Sequence, residues 1–139
     1  MKKIELINNL KRKNLRITPQ RLAIYEAICA LKNHPTADNI IEFIKEHHPN
    51  IATGTVYKVL DTLVEKKIIK KVKTEKDIMR YDSFIENHHH LYCIKSDLIK
   101  DFVDEDLDKL LIEYFKKKKF PNFEIEDIVL QIKGTFGKQ

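Results

Sequence analysis

The chain has 139 residues, enough for one ordinary domain or two small ones, and its 42% apolar content excludes wholesale disorder. Its net charge of +5 favours a polyanionic partner such as nucleic acid, although a lysine-rich genome composition would produce the same excess. The two cysteines, Cys29 and Cys93, are too few for a disulfide framework or a four-cysteine zinc site within one chain.

The first third of the chain predicts three short helices. Residues 3–13 carry a one-sided apolar stripe whose interspersed charges exclude a signal-peptide core, and no apolar run reaches membrane-spanning length, so we expect a cytoplasmic protein. Thr18, followed by a proline, is a favourable start for a second helix running to about Leu31. Thr36 then caps a third helix that ends near His48.

A fourth helix is predicted from Thr55 to about Lys66, with Thr53 as its cap and one apolar face. Short helices joined by tight turns fit a helix-turn-helix in which the last helix enters the major groove of DNA. Its outward residues would be Thr55, Tyr57 and Lys58. An ordinary surface helix is the alternative.

A β-hairpin is predicted next, from two short strands over residues 68–73 and 78–82 around a polar turn. Directly after a recognition helix, such a hairpin is a wing that places Lys70, Lys71 and Lys73 near DNA phosphates. The same lysines would also protect an exposed strand edge from aggregation. The two roles are compatible.

Residues 83–87 are interpreted as a hinge, which divides the chain into a first domain over residues 1–82 and a second over residues 88–139. The predicted elements of the second domain are a strand from His88, a strand over residues 98–102, a helix from Asp104 to about Lys118 and a strand over residues 123–132 with its apolar face inward. So small a unit has little core of its own, and we expect it to self-associate.

Three consecutive histidines begin the second domain. In a strand, His88 and His90 would share one face and His89 the other. Two imidazoles on one face, with Asp82 and Asp101 as oxygen donors, suit Fe(II), Mn(II) or Zn(II) better than copper(I) or an iron–sulfur cluster. A solvated histidine run near a loop is the alternative.

Together these motifs resemble the ferric uptake regulator family over almost the whole chain. The segments that carry the resemblance are Arg16-Ile17-Thr18-Pro19-Gln20-Arg21, His34-Pro35-Thr36-Ala37-Asp38, Thr55-Val56-Tyr57-Lys58-Val59-Leu60, and Arg80-Tyr81-Asp82 ahead of His88-His89-His90-Leu91-Tyr92-Cys93. The resemblance implies an α/β (α+β) protein with an N-terminal winged-helix DNA-binding domain followed by a small α/β dimerisation domain. It implies a homodimeric transcription repressor on a double-stranded DNA operator, with no membrane and no small-molecule substrate.

The resemblance also implies a regulatory metal, Fe(II) or Mn(II), for which Zn(II) would substitute in vitro. The positions that match the family's ligands are His34, Asp82, His88, His90 and Asp101. One ion tied to both domains would set the spacing of the two recognition helices in a dimer, and thereby their fit to two half-sites.

The predicted DNA contacts comprise the outward residues of the fourth helix, two wing lysines and two arginines that would anchor the DNA backbone. They are Arg16, Arg21, Thr55, Tyr57, Lys58, Lys70 and Lys71. Contacts of this kind to phosphates make binding strongly dependent on salt.

Aspartates at positions 82 and 101 resemble the peroxide-sensing branch of the family. In that branch, bound Fe(II) reacts with hydrogen peroxide and a liganding histidine is oxidised, which releases DNA; the candidates here are His34 and His88. The main alternative is an iron-responsive repressor without peroxide chemistry. A metal-free winged-helix protein is another, and so is a metal-dependent hydrolase, although the five candidate ligands leave little room for an open catalytic position.

The sequence departs from the family at two further metal sites. Where the family has two Cys-x-x-Cys pairs for a structural zinc, this chain has Cys93 with Ser96 and Phe136 with Gln139, so we expect no structural zinc and a dimer held by apolar packing. Another site of some members would fall on Asn87, His89, Asp108 and Ile128. Because asparagine and isoleucine are not typical ligands, we expect no metal there and predict that His89 faces solvent.

Overall fold

The computed structural model of the protein describes residues 2–31, 33–74, 76, 78–83 and 88–137. The chain divides into two compact units, Met1–Ile85 and Glu86–Gln139. Of the predicted hinge, only Ser83 belongs to the described residues; Asn87 and Gln139 also lie outside them. Among the described residues, every helix is too short or too polar to traverse a lipid bilayer.

The first unit consists of helices followed by a hairpin. Its elements are α1 (Lys3–Arg12), α2 (Pro19–Ala30), α3 (Ala37–His47), α4 (Thr53–Glu65), β1 (Lys70–Lys73) and β2 (Met79–Asp82). The two strands are antiparallel, with Lys70 opposite Asp82. The predicted order of helices and wing is therefore confirmed in this unit.

Two of the three predicted N-caps in this unit are confirmed. The Thr18 side chain accepts a hydrogen bond from the Arg21 amide at 3.2 Å. Thr36 accepts one from the Asn39 amide at 3.1 Å, and the Asn39 side chain accepts one in return from the Thr36 amide, which forms a capping box. Thr53 as a cap was wrong, because α4 includes Thr53 and its cap position is Ala52.

The apolar faces of the four helices meet in one core. Its most deeply buried side chains are Leu6, Leu10, Ile24, Tyr25, Ile28, Ile40, Ile44, Leu60, Leu63 and Ile69. The buried Tyr25 hydroxyl accepts a hydrogen bond from the Asn9 side chain at 3.0 Å, and desolvation raises the pKa of this phenol. Cys29 packs half-buried against the core, and desolvation also raises the pKa of its thiol.

The second unit is a small mixed sheet with one helix among its described residues. Its elements are β3 (His89–Cys93), β4 (Ile99–Phe102), α5 (Glu105–Lys116) and β5 (Gln131–Gly134). The strand order is β4-β3-β5, in which β4 is antiparallel and β5 parallel to β3. The side chain of Asp104 caps α5 by accepting a hydrogen bond from the Leu107 amide at 3.0 Å, so the predicted helix start is confirmed.

The predicted last strand was wrong over most of its length. Residues 123–130, all of which the structure describes, run without regular secondary structure, and β5 begins only at Gln131. None of the residues predicted to face inward is buried: Phe123, Ile125 and Ile132 are exposed, and Ile128 and Leu130 are half-buried. The reason is register: β5 pairs with β3 from His90 opposite Gln131 onward, and the preceding residues have no described strand opposite them.

The second unit has little apolar core of its own. Among its described residues, the buried apolar side chains are Tyr92, Cys93 and Ile99, and α5 contributes none. Large apolar side chains of α5, such as Leu110 and Tyr114, are exposed instead. A unit of this kind is expected to bury that face in an assembly.

Candidate metal centre

The first unit places His34 beside Asp82. His34 follows α2 in a loop whose residues Asn33 and His34 both have left-handed backbones, with φ of 67° and 56°. Such conformations typically cost about 1–3 kcal/mol each in residues other than glycine, and they persist where surrounding contacts hold them. Nε2 of His34 lies 3.3 Å from Oδ2 of Asp82, and both side chains are buried.

Strand β2 supplies the contacts that hold this loop. Nη1 of the buried Arg80 donates to the carbonyl oxygens of Asn33 and His34 at 3.0 and 3.1 Å. The Tyr81 amide donates to the carbonyl of Pro35 at 2.8 Å. Because Asp82 ends the same strand, β2 both carries the carboxylate and positions the imidazole that faces it.

The second unit brings His88, His90 and Asp101 together. The alternation predicted for the histidine run is confirmed: the Nε2 atoms of His88 and His90 lie 3.2 and 3.7 Å from the same oxygen of Asp101. The two imidazole centroids are 4.8 Å apart. Asp101 reaches them because it lies opposite His90 in the antiparallel register of β3 and β4. Both histidines are buried, whereas Asp101 is partly open to solvent.

The donor atoms of the two sets are chemically suited to a borderline or hard divalent ion. The first unit offers one imidazole nitrogen and one carboxylate, and the second offers two imidazoles and one carboxylate, the set that binds Fe(II) in many non-haem iron sites. Neither set alone supplies the full octahedral coordination that Fe(II) and Mn(II) favour. The same contacts bring imidazole nitrogens directly to carboxylate oxygens.

His89 does not face solvent, and that expectation was wrong. Its side chain is 0% exposed, with Nε2 at 2.6 Å from Oδ1 of Asp108 and with Nδ1 accepting a hydrogen bond from the Leu130 amide at 3.0 Å. The strand alternation correctly placed His89 on the face of β3 opposite to that of His88 and His90. Residues distant in the sequence cover the face that carries His89. The family resemblance groups His89 with Asp108 among the positions of a further metal site, and the structure brings these two side chains together.

The predicted DNA contacts are all exposed or half-buried residues of the first unit. Tyr57 and Lys58 are exposed on α4, on the side away from its buried face, and Thr55 is half-buried. Lys71 is exposed on β1 and Lys70 half-buried. Arg16 is exposed, and its carbonyl accepts a hydrogen bond from Nη1 of Arg21 at 2.8 Å. Contact of these residues with DNA stays a prediction.

At the expected position of the missing zinc ligands, Cys93 is buried next to Ser96. Hydrogen bonds to its sulfur from the Ser96 side chain and from the backbone at Phe136 lower the pKa of the Cys93 thiol to about 7. The thiolate form is thus stabilised by neutral donors of its own unit. The expected absence of a structural zinc stays a prediction.

Comparison with known proteins agrees with this architecture. Residues 12–133 match the model of the ferric uptake regulator family. The chain is 35% identical over 106 residues to the peroxide-responsive repressor PerR of Staphylococcus epidermidis, which covers 76% of this chain and 71% of that protein.

Solved structures show the same fold. The ferric uptake regulator of Pseudomonas aeruginosa with manganese has a TM-score of 0.76 to this chain. The two are 19% identical, and the match covers 94% of this chain and 97% of that one. A zinc uptake regulator complexed with zinc and DNA has a TM-score of 0.70 and 19% identity, covering 96% of this chain and 89% of that one. The predicted α+β class, a helical DNA-binding domain followed by an α/β domain, is confirmed. Because the family model spans most of the chain, the protein belongs to the ferric uptake regulator family.

Proposed function

We propose that the protein is a homodimeric, metal-dependent transcription repressor that senses hydrogen peroxide through oxidation of one of its own metal-binding histidines. Family membership supports the repressor function, and the similarity to a peroxide-responsive repressor supports the signal. The observation that carries the proposal is the convergence of His88, His90 and Asp101 in a set suited to Fe(II).

One ion is proposed to join the two sets of donors. The ligands would be His34, Asp82, His88, His90 and Asp101. Their combination is supported by donor number, because the first set has only two donors, and joining it to the three of the second gives five of the six ligands that an octahedral ion takes. Zn(II), which takes the same kinds of ligand, is expected to substitute in vitro but has no redox chemistry.

The peroxide reaction is proposed to end on His34 or His88. Overall, hydrogen peroxide would oxidise the imidazole by two electrons, transferring one oxygen to a ring carbon and leaving as water, and bound Fe(II) would supply the redox chemistry that starts this transfer, which Zn(II) cannot support. Both imidazoles are buried, so an oxidant formed beside them meets a side chain before it meets bulk water. An imidazole that has gained oxygen is a poorer ligand, which would weaken metal binding and with it the form of the protein that binds DNA.

The DNA surface is proposed to consist of the outward side of α4 and the basic strand β1. Tyr57 and Lys58 would enter or border the major groove, and Lys70 and Lys71 would contact phosphates. The arginines Arg16 and Arg21 would anchor the backbone at the start of α2. As a repressor of genes the protein would act in the cytoplasm, with no small-molecule substrate and no turnover.

The homodimer is proposed to form through the exposed apolar side of the second unit. A groove of about 590 Å³ lies between α5 and residues 118–128 and is lined by Phe115, Phe120 and Phe123. Its rim carries both lysines and acidic residues, such as Lys119 and Glu126. A two-fold axis would bring opposite charges of two copies together, so the surface suits an isologous interface.

Operator binding under defined metal conditions tests the proposal. Duplexes selected from a random library in the presence of Mn(II) would serve as operator, and affinity would be measured with Fe(II), Mn(II), Zn(II) and a chelator, before and after peroxide. We expect binding with each metal, loss with chelator, and peroxide inactivation of the Fe(II) form alone. Binding that is unchanged by chelator would support a metal-free winged-helix protein instead.

Peptide mass spectrometry of the iron-loaded protein tests the peroxide step. We expect His34 or His88 to gain one oxygen, while the exposed His47 and His48 stay unmodified and serve as internal controls. If His34 and His88 stay intact while DNA binding still requires iron, the protein is an iron-responsive repressor without peroxide chemistry. An Asp101→Asn variant should lose metal-dependent DNA binding, whereas Asp106→Asn, exposed on α5, should retain it.

A further inference from the structure

One buried imidazole has no place in the proposed metal sets. His89 lies on β3 between two proposed ligands, yet its side chain points to the other face of the strand. Its nitrogens contact Asp108 of α5 and the backbone amide of Leu130 at 2.6 and 3.0 Å. A single side chain therefore connects β3, α5 and the segment that leads into β5.

The contact with Leu130 determines which nitrogen of His89 carries the proton. A backbone amide only donates, so Nδ1 is the acceptor, and the proton of the neutral imidazole lies on Nε2, which donates it to the Asp108 carboxylate. Nδ1 is occupied by the Leu130 amide and Nε2 faces a single carboxylate, so His89 and Asp108 offer two donors, fewer than the three or more that a protein metal site supplies. The surroundings of His89 are thus those of a positioning residue and not of a ligand.

Leu130 is held by two consecutive residues of β3. Its amide donates to the side chain of His89, and its carbonyl accepts from the amide of His90 at 3.0 Å. Strand β5 then continues in parallel register, with Gln131 opposite His90. Because residues 123–130 run without regular structure, these two hydrogen bonds define where the chain joins the sheet.

On the opposite face of β3, the separation of His88 and His90 depends on the local pleat and twist of the strand. In the observed arrangement both imidazoles approach the same oxygen of Asp101, at 3.2 and 3.7 Å. We propose that His89 is a positioning residue for the metal: clamped between Asp108 and Leu130, it holds β3 so that its two neighbours meet Asp101 together. This inference rests on the proposed metal-dependent function.

Co(II) is a suitable probe, because its visible spectrum reports the number and geometry of its ligands. His89→Ala should bind Co(II) on the order of tenfold more weakly and with altered visible bands, as expected for loss of a group that orients ligands. His89→Gln keeps a donor near the position of Nε2, and His89→Asn keeps an acceptor near that of Nδ1, so each should restore part of the affinity. Ile99→Val, which trims a buried residue of β4, is the control for lost stability and should leave the spectrum unchanged.

The outcomes separate this inference from the proposed function. A wild-type protein that binds no Co(II) would overturn both. Wild-type binding together with unchanged affinity and spectrum in the His89 variants would overturn the inference alone. If His89→Ala does not fold, the Gln and Asn variants decide: wild-type spectra in both would refute the clamp. In the Zn(II)-loaded protein, nitrogen NMR shifts of His89 typical of a metal-bound imidazole would refute it as well.

Discussion

Replacing Arg80 by methionine should destabilise the first unit and weaken metal binding through the loop that carries His34. The Arg80 side chain is 7% exposed and donates from one nitrogen to the carbonyls of Asn33 and His34. Hydrogen bonds from charged donors contribute about 1.5–3 kcal/mol each, and because these two share a donor atom we take the lower end for both. Release of the left-handed backbone returns about 1 kcal/mol at each of the two loop residues, roughly 2 kcal/mol together. The net expected loss is about 1 kcal/mol.

Urea unfolding and calorimetric titration with Mn(II) measure the two consequences. Since the slope of the unfolding free energy is about 1–3 kcal/mol per molar urea, the midpoint should fall by roughly 0.5 M. Mn(II) affinity should fall too, because His34 is no longer held towards Asp82. The control is Arg21→Met, which removes a comparable hydrogen bond to the exposed Arg16 and should cost less than about 0.5 kcal/mol. The reasoning is refuted if the two arginine variants lose equal stability and Mn(II) affinity is unchanged.

Three further predictions concern stability. Leu60→Ala, in the centre of the first core, should cost about 2–5 kcal/mol in urea unfolding, and a loss below about 1 kcal/mol would contradict the packing described. Thr36→Ala removes the cap of α3 and should cost about 1 kcal/mol, whereas Thr36→Ser should restore it; equal stabilities of the two variants would count against the capping box. In the folded protein the pKa of the Cys93 thiol is lowered from an ordinary value of 9.0 to about 7. Its ionisation therefore adds to the free energy of unfolding above pH 9, and this contribution is lost as the pH falls through 7. The stability difference between wild type and Cys93→Ala should therefore grow from pH 7 to pH 9, and a constant difference would exclude a depressed pKa.

Features that depend on a few neighbouring residues could be predicted from the sequence. The caps at Thr18, Thr36 and Asp104 each require only a side-chain oxygen and an amide three residues later. The opposite orientations of His89 and its two neighbours follow from the strand alone. For the same reason, the apolar faces of the first four helices were correctly assigned to a core.

Contacts between distant parts of the chain could not be predicted in the same way. The alternation of residues 123–132 is typical of a strand, but a strand forms only where a partner offers hydrogen bonds, and the pairing with β3 begins only at Gln131. His89 was expected in solvent because no metal was expected on its face of the strand, whereas the groups that hydrogen-bond it, in Asp108 and Leu130, lie 19 and 41 residues away. The prediction of Thr53 as a cap was wrong by one residue, because the helix begins at Thr53 itself and Ala52 occupies the cap position.

The order of residues was sufficient to identify the family, the sequence of helices and strands, and the side chains that offer nitrogen and oxygen to a metal, because each of these rests on local spacing and residue chemistry. Folding decided which of these groups meet. The pairing of β3 with β4 brings Asp101 to two imidazoles, and β2 holds His34 towards Asp82 through Arg80. Such partnerships are set by strand register and by packing between segments far apart in the chain, and no local pattern records them.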